Sequence, residues 1–433
     1  MKKNGFTLVE ITVCVVLLVT IFLLVVPKVN TMINNKKKNA YNSLISTVKD
    51  AAQAYVYLNV NIVDDAIESQ GYYEVSIRTL QENELLENKL ENPLTGKNIP
   101  STSIVKIIKN NEEYIYKFSL DYQYLLEHII DLYSSEETRI SNGLKKDNTE
   151  DKNIRYYGSD PNNYVSFNNE LWRIIGVFGN NVKLVRKDSL GSLSWDSSES
   201  SINGGVGINQ WGESKDADGN EYAGADLQVY LNKMYYGGTS VTCYGGTKNS
   251  TTTCPTNTLD NTAKALIDNH TWNTGAPNHS TLYNSTTQSY DTVEFYKAER
   301  GTVNGKICSS GTYCNDTVTR TTEWTGYIGL PYVTDYAYAS SENDCNTKID
   351  QSSTYKCKNN NWMHRSTSTW YMSPYAIPYN ATSVWYVYGD GSSGLSIAAD
   401  ALSAFPTIYL KSNVLIDSGK GTSSDPYILK AGL

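Results

Sequence analysis

An apolar segment near the start of the sequence constrains the fold more than any other feature. Across residues 6–26 the only charged side chain is Glu10. A helix over this range, at about 1.5 Å per residue, is roughly 30 Å long, which matches the hydrocarbon core of one bilayer. A secretory signal peptide has a shorter apolar core and a cleavage site with small residues, and no such site follows here. The segment therefore predicts a membrane-spanning helix.

Glu10 is the unusual residue of this segment. A carboxylate inside a membrane span costs about 2.5–3.5 kcal/mol to insert, so it needs a partner. A short basic leader with Lys2 and Lys3 ends at Gly5. Cleavage after Gly5 would give Phe6 a free amino group, and that cation could neutralise Glu10 of a neighbouring subunit. In a low dielectric such a pair would fix the axial register of packed helices.

Residues 5–10 (GFTLVE), preceded by two lysines, resemble the class III signal of type IV pilins and type II secretion pseudopilins. Pro27 also matches a proline that is common in pilin helices. The resemblance implies cleavage after Gly5 by a prepilin peptidase, usually with N-methylation of Phe6. It also implies assembly with other pilin or pseudopilin subunits, in which Phe6, Glu10 and Pro27 take part.

The sequence pattern divides the rest of the chain into several further segments. Apolar residues continue at helical spacing from Tyr41 to Leu58, and the pattern predicts two head strands at 104–108 and 114–118. Three more strands are predicted at 164–167, 171–178 and 182–185, separated by turns that contain Asn and Gly. The predicted divisions are a prepilin leader (1–5), a pilin helix (6–60, membrane part 6–26), a small pilin-like head (61–118), a helix and linker (119–153), and an extracellular disulfide-containing domain (154–433).

The large second domain is rich in Ser, Thr, Asn and Gly, and its apolar runs are short. It resembles an uncharacterised domain of Firmicutes surface proteins and pilin-like proteins, and its loops and final strands resemble the C-type lectin or sulfatase-activator fold. The matching stretches are 171–178 (LWRIIGVF), 324–339, 370–374 (WYMSP) and 405–429. The predicted fold class is therefore α+β, with a long N-terminal pilin helix, a small α+β head and a loop-rich, disulfide-bearing α+β domain.

Six of the seven cysteines fall in three close pairs, and Cys14 stands alone in the apolar segment. Such polar-flanked pairs predict three local disulfides and an oxidising compartment. Fifteen pairings are formally possible, and only proximity favours the sequential one. The rival interpretation is metal binding, although the gaps do not fit zinc knuckles. The pairs are Cys243 with Cys254, Cys308 with Cys314, and Cys345 with Cys357.

The charge and the catalytic residue types narrow the function classes. The net charge of -8 argues against a basic surface for nucleic acid, so no direct nucleic-acid binding is expected. Four histidines leave few candidates for a general base, and no nucleophile stands beside one in a recognisable pattern. The sequence therefore predicts a protein that is not an enzyme and that needs no cofactor, apart from a possible structural calcium ion.

Two groups of residues are candidates for binding a ligand or an ion. Flat rings among polar neighbours can stack on sugars, which would suit a glycan or host-surface ligand; the alternative is that they are core residues. These rings are Trp362, Trp370, Tyr375, Tyr379 and Trp385. Alternating oxygen donors at Asp216, Asp218 and Asn220 would suit calcium, although the loop does not fit the EF-hand pattern and a solvated turn is the alternative.

These observations predict a prepilin-like structural subunit, a minor pilin of the tip or adhesin type in a type IV filament. The chain would first be a single-pass membrane protein with a cytoplasmic N-terminus, and would then reach the cell surface or a filament. Two alternatives remain open. One is a pseudopilin of a type II secretion or DNA-uptake machine, and the other is a membrane-anchored surface binding protein or enzyme that does not polymerise.

Overall fold

A computed structural model describes most of the chain beyond the N-terminal segment. The described residues are 36–37, 39–93, 98–110, 113–118, 123–197, 209–215, 221–222, 224–246, 249–278, 282–286, 289–303, 306–307, 321–342, 345, 347–350, 356–376 and 381–431. They form two compact units, and the boundary lies between Gln123 and Tyr124. The leader (1–5) and the membrane part (6–26), with Gly5, Phe6, Glu10 and Pro27, lie outside the described residues.

The predicted fold class is wrong for the chain that the structure describes. That chain is mostly β with short helices, and it contains no long N-terminal pilin helix. One helix spans 39–58, and a separate one begins at Val60 because Asn59 leaves helical backbone angles and donates from its side chain to the carbonyl of Tyr55 at 2.9 Å. None of the helices in the described ranges is both long and apolar enough to cross a membrane.

The first unit packs helices on a small antiparallel sheet. Its strands Tyr73–Ser76, Ile104–Asn110 and Glu113–Lys117 lie side by side in chain order, which confirms the two strands predicted at 104–108 and 114–118. Its further helices are Val60–Gln70 and Ile77–Glu82. Ser76 caps the latter by accepting from the backbone N–H of Thr79 at 3.0 Å. Apolar residues from helix and sheet, such as Val48 and Val105, share one core.

A large, mainly antiparallel sheet organises the second unit. Its central strands Tyr164–Phe167, Glu170–Phe178 and Asn181–Arg186 confirm the three strands expected there. The final strand Tyr427–Lys430 runs parallel to the first of them. In spatial order this part of the sheet is Ile328–Gly329, Thr407–Leu410, Asn181–Arg186, Glu170–Phe178, Tyr164–Phe167, Tyr427–Lys430 and Leu415–Ser418; Ile154–Tyr156 also joins Glu170–Phe178 and pairs with Leu144–Lys146.

A second sheet and several short ladders complete this unit. The second sheet has the order Ser192–Ser194, Ala401–Ser403, Thr369–Pro374, Ser383–Val387 and Ser393–Ile397. The ladders pair Ser214–Lys215 with Glu221–Tyr222, Cys243–Tyr244 with Thr251–Thr252, His270–Asn273 with Glu323–Gly326, Ser289–Asp291 with both Tyr283–Asn284 and Lys348–Asp350, and Thr302–Val303 with Lys306–Ile307. Gln123–Tyr124 is a short strand at the unit boundary.

The helices of the second unit are short and lie against these sheets. They are Leu125–Ser134, Glu136–Ser141, Asp226–Val229 (continued by a π-helix at Tyr230–Tyr236), Asn261–Leu266, Thr292–Glu299, Val333–Ala339 and a 3-10 turn at Lys356–Lys358. Residues 119–153, expected to hold a helix and a linker, contribute Leu125, Leu126 and Ile129 to the same core as the sheet. Burying those three side chains favours docking of this segment.

Two of the three predicted disulfides are confirmed. Cys243 bonds to Cys254 and Cys345 bonds to Cys357, with Cα–Cα distances of 5.3 and 5.6 Å. Cys308 and Cys314 lie outside the described residues. Each observed bond joins cysteines only 11 or 12 positions apart, and closing such a loop restricts the unfolded chain and so stabilises the folded one.

Candidate functional site

The most elaborate polar cluster that the structure describes is buried in the second unit. It contains two cations, Arg155 and Lys183, and three carboxyl groups, Asp147, Glu299 and Asp335. None of these five residues is more than 4% exposed. Charges are rarely buried unless they are paired, because removing each one from water is costly. Burial of these groups therefore requires that they compensate one another, and we call the set the buried charge cluster.

The local structure of each element holds the cluster in place. Lys183 lies on the strand Asn181–Arg186, opposite Tyr409 of the neighbouring strand. Asp335 lies in the first turn of the helix Val333–Ala339, where its Oδ2 accepts from the backbone N–H of Tyr332 at 2.9 Å. Such a capping bond fixes the side-chain rotamer and satisfies a donor at the helix start. The lysine and the carboxylate are thus presented by two rigid elements.

Arg155 reaches the cluster from a strand that pairs very closely with the sheet at a glycine. In the antiparallel ladder between Ile154–Tyr156 and Glu170–Phe178, Arg155 lies opposite Gly176, where the register with the next strand shifts. A Cβ atom at position 176 would lie 2.1 Å from the carbonyl oxygen of Ile154. Only glycine allows this approach without a clash. The absence of a side chain at Gly176 therefore lets Arg155 lie close to the sheet, where it contacts Asp335 of the helix Val333–Ala339.

Asp335 bridges the two cations. Lys183 Nζ donates to its Oδ2 at 2.5 Å, and Arg155 Nη1 donates to its Oδ1 at 2.7 Å. Arg155 Nε also donates to Asp147 Oδ2 at 2.7 Å. Asp147 is further held by Asn153, whose side-chain amide donates to Oδ2 at 3.0 Å. The carboxylate oxygens are thus occupied by N–H donors of this chain.

Aromatic rings enclose the lysine. Its Nζ lies 4.2 Å from the ring centre of Tyr332, 5.2 Å from Phe178, 5.3 Å from Tyr409 and 5.8 Å from Trp272. Ring faces attract cations, and this attraction is stronger where water is excluded. The ammonium group therefore lies in a buried, ring-lined site and is paired with the carboxylate of Asp335.

Burial and charge pairing shift the acid-base behaviour of the cluster. Burial lowers the pKa of Lys183 to about 8, against the opposing attraction of Asp335. Burial alone would raise the pKa of Asp335, but Lys183 and Arg155 attract its charge and hold its pKa below the usual value. These directions follow from desolvation and from opposite charges at hydrogen-bond distance.

Glu299 is the carboxyl group of the cluster whose negative charge is least stabilised by nearby cations. Burial raises its pKa to about 7, although hydrogen bonds from Thr334 favour the ionised form. Thr334 donates through Oγ1 at 2.5 Å and through its backbone N–H at 3.3 Å, and Ser373 Oγ donates at 3.3 Å. Arg300 Nη1 is 4.0 Å away. Glu299 therefore changes protonation near neutral pH.

The predicted ligand-binding tryptophans are core residues in this structure. Trp362, Trp370 and Trp385 are at most 3% exposed, and each indole N–H donates to a backbone carbonyl. Tyr375 is half-buried with its ring centre 5.8 Å from that of Trp385, and Tyr379 lies outside the described residues. The three indoles thus leave no exposed face for a sugar ring.

The predicted calcium residues Asp216, Asp218 and Asn220 also lie outside the described residues. Within the residues that the structure describes, no group of three or more His, Cys, Asp or Glu side chains is arranged to hold a metal ion.

Two open grooves lie away from the buried charge cluster. One of about 720 Å³ in the first unit is lined by residues such as Gln81 and Leu86, and one of about 580 Å³ in the second unit is lined by Tyr283, Asn284 and Asp291 among others. Neither contains a residue that the sequence predicted to bind a ligand.

The sequence analysis did not single out Arg155, Lys183 or Asp335. A signal was present, since each is a charged residue within an apolar or aromatic run: IRY at 154–156, NVKLVR at 181–186 and YVTDYAYA at 332–339. A charge within a buried strand needs a partner, but the sequence does not show which residue supplies it.

Scans of the sequence against protein-family models, and searches of curated proteins and of solved structures, found no match.

Proposed function

We propose that this chain is a prepilin-like structural subunit, a minor pilin of the tip or adhesin type. It is cleaved after Gly5 by a prepilin peptidase and assembles with other pilin or pseudopilin subunits through its N-terminal segment. The observation that carries the proposal is the run GFTLVE at 5–10, which follows Lys2 and Lys3 and opens an apolar segment to residue 26.

The chemistry of this segment supports assembly over simple anchoring. Glu10 within an apolar span is costly unless it meets a cation. The amino group that cleavage frees on Phe6 is such a cation, and in an assembly it comes from the adjacent copy. An anchor that never polymerises has no need for a carboxylate at this position. In this proposal Glu10 therefore fixes the axial register between neighbouring subunits.

The second unit suits display outside the cell. It carries two disulfides, which persist in oxidising compartments. Charged residues make up only 19% of the sequence, and Tyr, Ser, Thr and Asn supply its remaining polarity. The unit extends from residue 124 onward, and so large a unit on every subunit would crowd a filament lattice. That bulk favours a minor subunit, with a glycan or host-surface ligand as its target.

The N-terminus of the mature chain tests the processing step. The chain is recovered from an envelope fraction of cells with a prepilin peptidase, and its N-terminal peptide is identified by mass spectrometry. We expect it to begin at Phe6 with a methylated amino group. A matched Gly5→Val variant should retain the leader, because the peptidase site is lost. Mature wild-type chain that still begins at Met1 or Lys2 would contradict the proposal.

A further inference from the structure

We propose that Lys183 and Asp335 condense into an intramolecular amide, an isopeptide bond, once the second unit has folded. The two residues are 152 positions apart in sequence, yet Lys183 Nζ lies 2.5 Å from Asp335 Oδ2. An amine held against a carboxyl group by two rigid elements needs no encounter step. Such intramolecular arrangements reach effective concentrations of about 10⁵–10⁸ M.

The surroundings of the pair favour condensation over hydrolysis. Neither side chain is more than 2% exposed, and aromatic rings line the lysine. Amide formation releases water, so a site that excludes water favours the product. Burial also lowers the pKa of Lys183 to about 8, which increases the fraction of neutral, nucleophilic amine.

The reaction balances without a co-reactant. One proton first moves from Lys183 Nζ to Asp335 Oδ2 along their contact and gives a neutral amine beside a neutral acid; this transfer runs against the two pKa values and supplies a small reactive population. The amine lone pair attacks Cγ, and Nζ then passes a second proton to Oδ2, which leaves as water. Nζ keeps its third proton as the amide N–H. One C–N bond forms, one C–O bond breaks, and no oxidation state changes.

Arg155 is placed to assist this step. Its Nη1 donates to Asp335 Oδ1 at 2.7 Å, and Oδ1 is the oxygen that becomes negative when the amine attacks. A fixed donor at a developing oxyanion stabilises the transition state. Condensation also removes one positive and one negative charge from the buried charge cluster. Arg155 and Asp147 then remain as a balanced pair at 2.7 Å.

Other lysine–aspartate pairs of the chain serve as internal controls. Lys430 Nζ contacts Asp417 Oδ1 at 2.7 Å, but the two side chains are 38% and 50% exposed. That pair has the proximity without the dry enclosure, so it should stay ionic. The comparison separates the effect of burial from that of distance.

Peptide mapping of the full-length chain tests the proposal. The purified chain is reduced, alkylated and digested with trypsin, which does not cleave after an acylated lysine. We expect a branched product that joins residues 174–186 to residues 321–348 and is lighter than the two peptides together by one water molecule. No branched product should involve Lys430.

Two outcomes in the wild-type chain would overturn the proposal. One is recovery of Lys183 and Asp335 only in linear peptides of unmodified mass. The other is a water loss confined to a linear peptide, as an aspartate-derived succinimide would give. A Lys183→Arg variant should lose the branched product completely, and a Lys430→Arg variant should keep it; a branched product that persists in Lys183→Arg would also contradict the assignment. The wild-type result stands even if Lys183→Arg fails to fold.

Discussion

Replacing Glu299 by glutamine should stabilise the second unit in a strongly pH-dependent way. Glu299 is fully buried, and burial raises its pKa from the ordinary value of 4.5 to about 7. Glutamine keeps the size of the side chain and resembles the protonated acid. Its Oε1 can accept from the Thr334 N–H and from Ser373 Oγ, and its NH2 group can donate to Thr334 Oγ1. The variant removes only the cost of ionising a carboxyl group in the core.

The size of the effect follows from the pKa shift. Between pH 4.5 and 7 the folded chain holds a proton at Glu299 that the unfolded chain has released. Folded wild-type protein therefore loses stability as the pH rises through this window, and the deficit is complete above the folded pKa. A shift of this size corresponds to about 3 kcal/mol at 1.36 kcal/mol per pKa unit. The variant should match wild type near pH 4 and exceed it by that amount at pH 8.

Urea unfolding at pH 4, 6 and 8 measures the difference. All eight tryptophans lie in the second unit, so their fluorescence reports on that unit alone. The exposed Glu136→Gln provides the baseline for an amide substitution outside the core. Peptide mapping should show the same state of Lys183 and Asp335 in variant and wild type. A gain that is equal at pH 4 and pH 8, or a loss at pH 8, would refute the reasoning.

Three further predictions concern the same unit. Arg186→Met should lower the unfolding free energy of the unit by about 3 kcal/mol in urea titrations, because the half-buried carboxylate of Glu170 would lose its bidentate ion pair with the guanidinium group. An unchanged midpoint would contradict this. Replacing Cys345 and Cys357 by alanine should cost about 3 kcal/mol under non-reducing conditions, as expected for a loop of 12 residues; equal stability would show that the loop is already restrained. Burial lowers the pKa of Lys145 to about 7, so the wild-type unfolding free energy should rise with pH between about 7 and 10.5. Lys145→Met should remove this contribution, which is measured as the difference in unfolding free energy between pH 7 and pH 10.

Local patterns predicted the strands that alternate regularly or form an apolar run. The strands Ile104–Asn110 and Glu113–Lys117 are long enough for a period of two to be visible, and the three strands from Tyr164 to Arg186 are mainly apolar runs separated by turn residues. The two observed disulfides also follow from local spacing, because each closes a short loop. These features depend on neighbours in sequence.

The fold class could not be obtained in the same way. Much of the β content consists of strands of two to four residues, such as Ser192–Ser194 and Ala401–Ser403, which are too short to show a period. Their pairing is also remote, since these two strands lie about two hundred positions apart and still form a ladder. Short strands in a Ser- and Thr-rich chain look like loops until their partners are known.

The buried charge cluster was hidden for a related reason. Lys183 in a strand and Asp335 near a helix start each have ordinary local explanations, as an edge charge and as a helix cap. Only the packing of the helix Val333–Ala339 against the sheet brings them to 2.5 Å. Conversely, Trp370 and Trp385 attracted a binding hypothesis because sequence cannot separate a buried ring from an exposed one, and both are 0% exposed.

The partition of a Glu10→Ala variant tests the central claim, that this chain assembles through its N-terminal segment. Wild type, Glu10→Ala and the control Glu136→Ala are expressed in cells with a complete filament machinery, and each chain is quantified by immunoblot in the sheared surface fraction and in the membrane fraction. We expect wild type and the control in the sheared fraction, with Glu10→Ala processed but retained in the membrane. Equal partition of all three chains would contradict assembly and leave only a tethered surface protein.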